Sequence, residues 1–227
     1  MLKAILFDLD GTIVNTDPIH YRIWHDILLE YNVEINEKIY KSNFTGRLNP
    51  AIIQDVLPHL SLEETENLAE EKEARFRQQA TLLKPINGFA KLLEWSEKHY
   101  LKRALVTNAP KLNAHFMVET LGLQDTFDLI ILAEEEAAAK PEPTPYKVAL
   151  ERLGVFAQEA IAIEDSPSGM RSALGAGIRT FGMVSTQTPK TLRELGAFMP
   201  ISDFADLQLW TFLNSQLRET ARITAFF

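Results

Sequence analysis

Apolar residues along this chain follow two rhythms. Residues 4–7 are apolar at every position, the pattern of a strand buried on both faces of a parallel sheet rather than one with a wet face. Residues 103–106, 129–132, 160–163 and 179–183 are further strand candidates, and the stretches between them place apolar residues at helical spacing. Phe89, Leu92, Leu93 and Ser96 line one helical face, and Leu112, Phe116 and Leu121 suggest another helix that Gly122 stops. Helices are also predicted near 145–153 and 167–176, the latter with Ser166 as N-cap and Pro167 in its first turn. Leu207, Trp210, Leu213 and Leu217 describe an amphipathic helix over 205–217, followed by a frayed or docked tail. This succession implies a parallel sheet with right-handed crossovers.

The alternation fails at one place. After Thr12 about seventy residues of helical pattern intervene, longer than a usual crossover connection. Ile19, Ile23, Ile27 and Tyr31 recur at four-residue spacing over 17–31, and Asp17-Pro18 reads as an N-cap with a first-turn proline. Residues 49–57 and 61–80 supply more helix, the second opened by a capping-box spacing from Ser61 to Glu64. The Ala- and Glu-rich stretch 133–140 predicts one short helix. The pattern therefore divides the chain into an α/β core, residues 1–14 and 86–227, and a small helical bundle inserted over 15–85.

Composition narrows the partners. A formal charge of −8 disfavours a polyanion such as nucleic acid, and zero cysteines exclude disulfides, thiol catalysis and thiolate metal sites. No run approaches the roughly 20 apolar residues that span a bilayer, and the apolar stretch before Asp8 is too short for a signal peptide. A cytoplasmic protein without a membrane partner is expected, with a monomer as the default.

The candidate chemistry lies at strand ends. Asp8-Leu9-Asp10-Gly11-Thr12 closes the first strand, and ligands of parallel sheets bind beyond the carboxyl ends of their strands. Asp8 and Asp10 thus leave the core where a substrate can reach them, and Gly11 permits a backbone conformation closed to other residues. Two carboxylates so close call for a compensating cation, and Mg2+ is the usual hard cation beside phosphates. The alternative is a pair of exposed turn aspartates.

The Asp-x-Asp-Gly-Thr pattern resembles the first motif of the haloacid dehalogenase superfamily, and three further pieces follow in the superfamily's order. Thr107-Asn108, ending the strand at 103–106, resembles the second motif. Lys140-Pro141 resembles the lysine motif, and Glu164-Asp165 after the strand at 160–163 resembles the acidic fourth motif. The resemblance implies a Rossmann-like sheet with helices on both faces and a helical cap hinged near 14–16 and 83–88. It also implies an aspartyl-phosphate formed on Asp8, acid–base catalysis by Asp10, and Thr107 and Lys140 as donors around the transferring phosphoryl group. Mg2+ would be held by Asp8, Asp165 and the Asp10 backbone carbonyl, with Glu164 a water-mediated or alternative ligand. Taken singly, Thr107 could be a strand cap and Lys140 a solvated loop charge.

In the superfamily an Asp at the position of Asp10 marks phosphatases and phosphomutases. The cap would choose the substrate, a small phosphorylated metabolite. Thr16 and His20 resemble the start of the first cap helix in β-phosphoglucomutase, Gly46-Arg47 its specificity loop, and Lys72 its cap lysine; Asn108 would add an amide beside Thr107. His20 could instead be a packing histidine, Arg47 a surface cation and Lys72 half of an intrahelical pair. Thr45 and Asn49 replace the mutase's basic residues around the loop glycine, which favours a phosphatase of sugar phosphates or phosphoglycolate over a mutase. A catalytically silent regulatory binding protein is the remaining alternative.

Overall fold

The computed structural model describes the backbone of residues 1–224 and the side chains of residues 1–216. The last helix, Leu207–Thr224, carries the helix predicted over 205–217 on into the predicted tail; residues 225–227 and the side chain of Leu217 lie outside the described residues. In chain order the elements are β1 (Ala4–Phe7), α1 (Asp17–Glu30), α2 (Glu37–Asn43), α3 (Asn49–Val56), α4 (Leu62–Gln79), α5 (Phe89–Lys98), β2 (Lys102–Thr107), α6 (Lys111–Thr120) and β3 (Leu129–Leu132). They continue with α7 (Thr144–Leu153), β4 (Ala160–Glu164), α8 (Pro167–Gly175), β5 (Arg179–Met183), α9 (Pro189–Glu194), β6 (Met199–Ile201) and α10 (Leu207–Thr224).

The strands form one sheet in the order β3-β2-β1-β4-β5-β6, every described pair parallel. Successive residues of β1 serve opposite faces, as the pleat requires. Ile5 and Phe7 pack with Phe89 and Leu92 of α5 and with Leu209 and Leu213 of α10. Ala4 and Leu6 pack with Tyr146, Ala149 and Leu153 of α7 and with Ala173 of α8. All four β1 side chains are fully buried, which is why the strand lacks polar alternation. Register then sets the active edge: Phe7 pairs with Leu105 on one side and Ile163 on the other, so the residues following β1, β2 and β4 emerge together.

Helices α1 to α4 occupy the long interval between β1 and α5 and pack through Ile23, Trp24, Ile27, Phe44, Ile53 and Phe76. The chain leaves and re-enters the sheet domain side by side: Val14 bridges Pro85, and the Ile86 N–H donates to the Ile13 carbonyl at 2.7 Å. No helix among the described residues is long and apolar enough to cross a membrane.

Two local expectations are corrected, and three short elements had no predicted counterpart. Thr16, not Asp17, is the N-cap residue of α1; Asp17 is already in the first turn, where its carboxylate accepts the Tyr40 hydroxyl at 3.0 Å. Residues 133–140 form a 3-10 turn over Ala133–Glu135 and then leave helical geometry at Glu136, because the chain must deliver Lys140 to the strand edge before α7 begins. α2 is too short and polar to show a helical stripe, burying only Tyr40, and its N-cap is Asn36, whose side chain accepts the Ile39 N–H. α9 and β6 are equally short, and β6 is an edge strand that accommodates Pro200 because one side of its backbone needs no partner. The capping box at Ser61 and Glu64 and the Ser166 cap of α8 match the expected geometry.

Candidate active site

Beyond the ends of β1, β2 and β4 lies a buried cluster of charge. Lys140 Nζ donates to Asp8 Oδ1 at 2.6 Å, to Glu164 Oε1 at 2.5 Å and to the Val106 carbonyl at 2.8 Å. Tyr146 adds its hydroxyl to the same Glu164 oxygen at 2.7 Å, while Glu164 Oε2 has no partner. Asp165 is held by its backbone, whose carbonyl accepts Thr186 Oγ1 at 2.9 Å. Gly11 has φ +77°, and a Cβ there would run into the Asp165 carboxylate, so both backbone and space demand glycine.

One ammonium cannot balance three carboxylates. Burial and then the neighbouring Glu164 push Asp8 up to about 8; burial and Asp8 push Asp165 well above the usual carboxylate range. Burial works against the Lys140 charge, but Asp8 and Glu164 outweigh it and raise the lysine. Asp8, Glu164 and Asp165 each present an oxygen within 4.8 Å of the others. A cluster of buried carboxylate oxygens with one orphaned lone-pair site and excess negative charge fits a hard divalent cation.

Asp10, two residues from Asp8, faces the other way. Its Oδ1 accepts Thr16 Oγ1 at 2.6 Å and lies 3.4 Å from His20 Nε2. His20 Nδ1 is 2.9 Å from Lys72 Nζ, and the ring stacks on Phe76 with centroids 4.2 Å apart. An ammonium only donates, so a neutral His20 accepts at Nδ1 and carries its proton on Nε2, toward Asp10. Burial alone would raise Asp10, but the bonds from His20 and Thr16 hold it below its ordinary value. The lone pair of Asp10, Thr16, His20 and Lys72 are thus one hydrogen-bonded line from the strand edge into α4.

The remaining predicted residues divide. Thr107, buried at the end of β2, accepts the Ala109 N–H at 2.9 Å and keeps its hydroxyl hydrogen available. Asn108 is a strut: its side chain pairs with both the N–H and the carbonyl of Lys140 at 3.1 Å and reaches the Gly46 carbonyl at 3.3 Å. Gly46, φ +71°, lies against Ser166, where any side chain would collide. Arg47 borders the cavity, yet its guanidinium is turned to Asp55 at 2.6 Å and to the Asn43 carbonyl at 2.9 Å. Lys72 is half of an intrahelical pair, with the adjacent Glu73 at 2.7 Å, and it also contacts His20.

Asp8, Asp10, His20, Gly46, Arg47, Lys72, Thr107, Asn108, Lys140 and Asp165 border a cavity of about 510 Å³ between the strand edge and the helical insertion, while Thr16 and Glu164 stand behind its lining. Several lining residues were not anticipated: Asp17, Glu73, Arg77 and Asn113, with Tyr146 just beneath the cluster. The charge-rich sequence of α4 reads as a solvated face. One signal was available, since Leu68, Lys72 and Phe76 recur at four-residue spacing, which puts Lys72 on the buried stripe.

Comparison with known proteins gives the family and the fold. Residues 5–183 match the family model described as haloacid dehalogenase-like hydrolase. A phosphorylated carbohydrates phosphatase of Thermotoga maritima is 30% identical over 204 residues, covering 86% of this chain and 92% of the relative. A phosphoglycolate phosphatase of Rhodospirillum rubrum is 26% identical, covering 92% and 91%. The β-phosphoglucomutase structure from Clostridium difficile superposes with a TM-score of 0.84 at 24% identity over 97% of this chain and 99% of that one, a likeness of fold.

Proposed function

The chain belongs to the haloacid dehalogenase-like hydrolases and is a phosphoric monoester hydrolase, and from that premise we propose an Mg2+-dependent phosphatase acting on small-molecule esters of the sugar phosphate or phosphoglycolate type through an aspartyl-phosphate. The observation that carries the proposal is the opposed setting of the two aspartates. Asp8 lies beside the Lys140 ammonium in the carboxylate cluster, while Asp10 is held by Thr16 and His20 of the insertion.

In the first step an Asp8 oxygen forms a bond to phosphorus as the ester P–O bond breaks. Asp10 gives its proton to the departing alkoxide oxygen. Asp10 rests as a carboxylate, and an arriving phosphate dianion raises its pKa and favours the protonated form that this step needs. In the second step Asp10 takes a proton from water as the water oxygen bonds to phosphorus and the bond to Asp8 breaks, releasing inorganic phosphate. The Lys140 ammonium would offset negative charge on the transferring group, and the Thr107 hydroxyl would donate a hydrogen bond to it. Asp8, Asp165 and the Asp10 backbone carbonyl would hold Mg2+, with Glu164 behind them, and the bound ion supplies charge screening between anionic nucleophile and anionic phosphate. Residues 15–85 act as the cap, joined to the core of residues 1–14 and 86–227 at the Val14–Pro85 bridge.

Mg2+-dependent release of inorganic phosphate from a panel of small phosphate esters tests the proposal, with Asp8→Asn as control. Release that vanishes in the control supports it. Undiminished release in the control refutes the nucleophile, and isomerisation of β-glucose 1-phosphate without release would make the enzyme a mutase.

A further inference from the structure

Phosphoryl transfer leaves one buried polar cluster of the cavity without a task. On α4 the stripe of Leu68, Lys72 and Phe76 turns inward and carries the adjacent Glu73 with it, so that Lys72 is 3% and Glu73 6% exposed. Glu73 accepts hydrogen bonds from three elements: Asn49 of α3 at 2.5 Å, Lys72 of α4 at 2.7 Å, and Asn113 of α6 in the sheet domain. Asn113 in turn accepts Arg77 Nη1 at 2.5 Å, which fixes its amide with the oxygen toward Arg77 and the NH2 toward Glu73. Burial would raise Glu73, but the Lys72 charge and the hydrogen bonds from Lys72 and Asn49 hold it below its ordinary value, so the carboxylate is charged. The cluster borders the same cavity as Asp8 and Asp10.

Resting on the phosphatase reading, we propose that Glu73, with Asn49 and Asn113, is the specificity-determining group of this cavity, selecting esters whose leaving group is neutral and hydroxyl-bearing over those carrying a second negative charge. A carboxylate and two side-chain amides supply both acceptors and donors, which suit hydroxyl groups, whereas a second phosphate or carboxylate can use only the donors and meets the Glu73 charge. The cations around the cavity are already committed. Lys72 is paired with Glu73, Arg47 with Asp55, Lys111 with Glu135, and Lys140 with Asp8 and Glu164. Arg77 has a neutral partner, and an anion seeking it would have to compete with Asn113 beside the Glu73 charge. Discrimination therefore comes from a repulsive element as much as from an attractive one.

The test compares kcat/KM for matched esters with Mg2+ present: glycerol 1-phosphate and a hexose monophosphate against 3-phosphoglycerate, phosphoglycolate and a hexose bisphosphate. The intact chain should favour the neutral leaving groups by about tenfold or more. In Glu73→Gln, where Lys72 loses its counter-charge, the preference should collapse by a similar factor, chiefly through KM of the anionic esters. A wild-type preference for the anionic esters, or an equal loss on all esters in Glu73→Gln, overturns the proposal while leaving the phosphatase reading intact. Should Glu73→Gln fail to fold, Arg77→Gln decides. An unchanged ranking supports the proposal, and a selective tenfold loss on anionic esters would make Arg77 an anion anchor and overturn it. Absence of phosphate release from every ester would instead defeat the phosphatase reading and this proposal together.

Discussion

The strand edge and the helical insertion meet at one cavity but hold their charges by opposite means. At the edge, Asp8, Glu164 and Asp165 are buried together around Lys140, and burial and mutual repulsion push Asp8 up to about 8. Two residues later Asp10 reaches into the insertion, where His20 and Thr16 hold it below its ordinary value. Left to themselves these environments put the proton on Asp8 and leave Asp10 ionised, so the proposed roles need a cation to lower Asp8 and a phosphate dianion to raise Asp10. In the proposed mechanism the edge is a strongly charged reaction centre, and the insertion would supply a directed proton and select the ester.

The comparison breaks most severely at the edge. Asp8→Asn keeps the shape of the site and removes the nucleophile, so kcat should fall by about a thousandfold or more in a phosphate-release assay. Retention of a tenth of the rate would mean that the edge is not where covalent chemistry occurs. Lys140→Met should lower turnover by roughly a hundredfold, as loss of a group that stabilises developing charge does. It also leaves two buried carboxylates unpaired, at about 3–5 kcal/mol in a urea unfolding experiment without added metal. On the insertion side the effects should be smaller. Thr16→Val deletes the 2.6 Å donor to Asp10, and kcat should drop about tenfold with KM nearly unchanged, since a hydrogen bond to a charged group is worth about 1.5–3 kcal/mol. A loss as large as that of Asp8→Asn would erase the distinction between the regions.

The gentlest test is pH. Glu73 has a folded pKa below its unfolded value, so its contribution to stability is present above the ordinary glutamate range and is lost as pH falls through the folded value. Unfolding free energy of the wild type, measured from pH 7 downward, should therefore fall more steeply on the acid side than that of Glu73→Gln. Parallel curves would mean that Lys72 and the amides do not hold Glu73 in its charged form.

The same division governs how much the sequence disclosed. β1 is readable because four consecutive buried residues can only be a two-sided strand, and Asp8 and Asp10 are readable because they follow it at once. Asp8 and Glu164 sit at neighbouring strand ends, which parallel register brings together, whereas Lys140 reaches them from the loop between β3 and α7 and was legible only through its motif. The Glu73 cluster has no such guide. Glu73 and Asn113 are brought together only by the packing of α4 on α6, and a Glu-rich helix looks solvated until its tertiary neighbours are known. Arg47 shows the opposite failure. A loop arginine beside a glycine suggests an anion contact, but Asp55, one helix away, takes its guanidinium. The short elements α2, α9 and β6 were illegible because a few residues cannot establish a period.

The most direct measurement of the central claim is chemical trapping of the intermediate. The enzyme is quenched with acid during turnover of a phosphate ester with Mg2+, reduced with borohydride, and its N-terminal peptide is examined by mass spectrometry. An aspartyl-phosphate is reduced where a free carboxylate is not, so the account predicts homoserine in place of Asp8 and unmodified Asp10. Unmodified Asp8 in enzyme quenched during a phosphate-release burst, or reduction at another carboxylate, would contradict it.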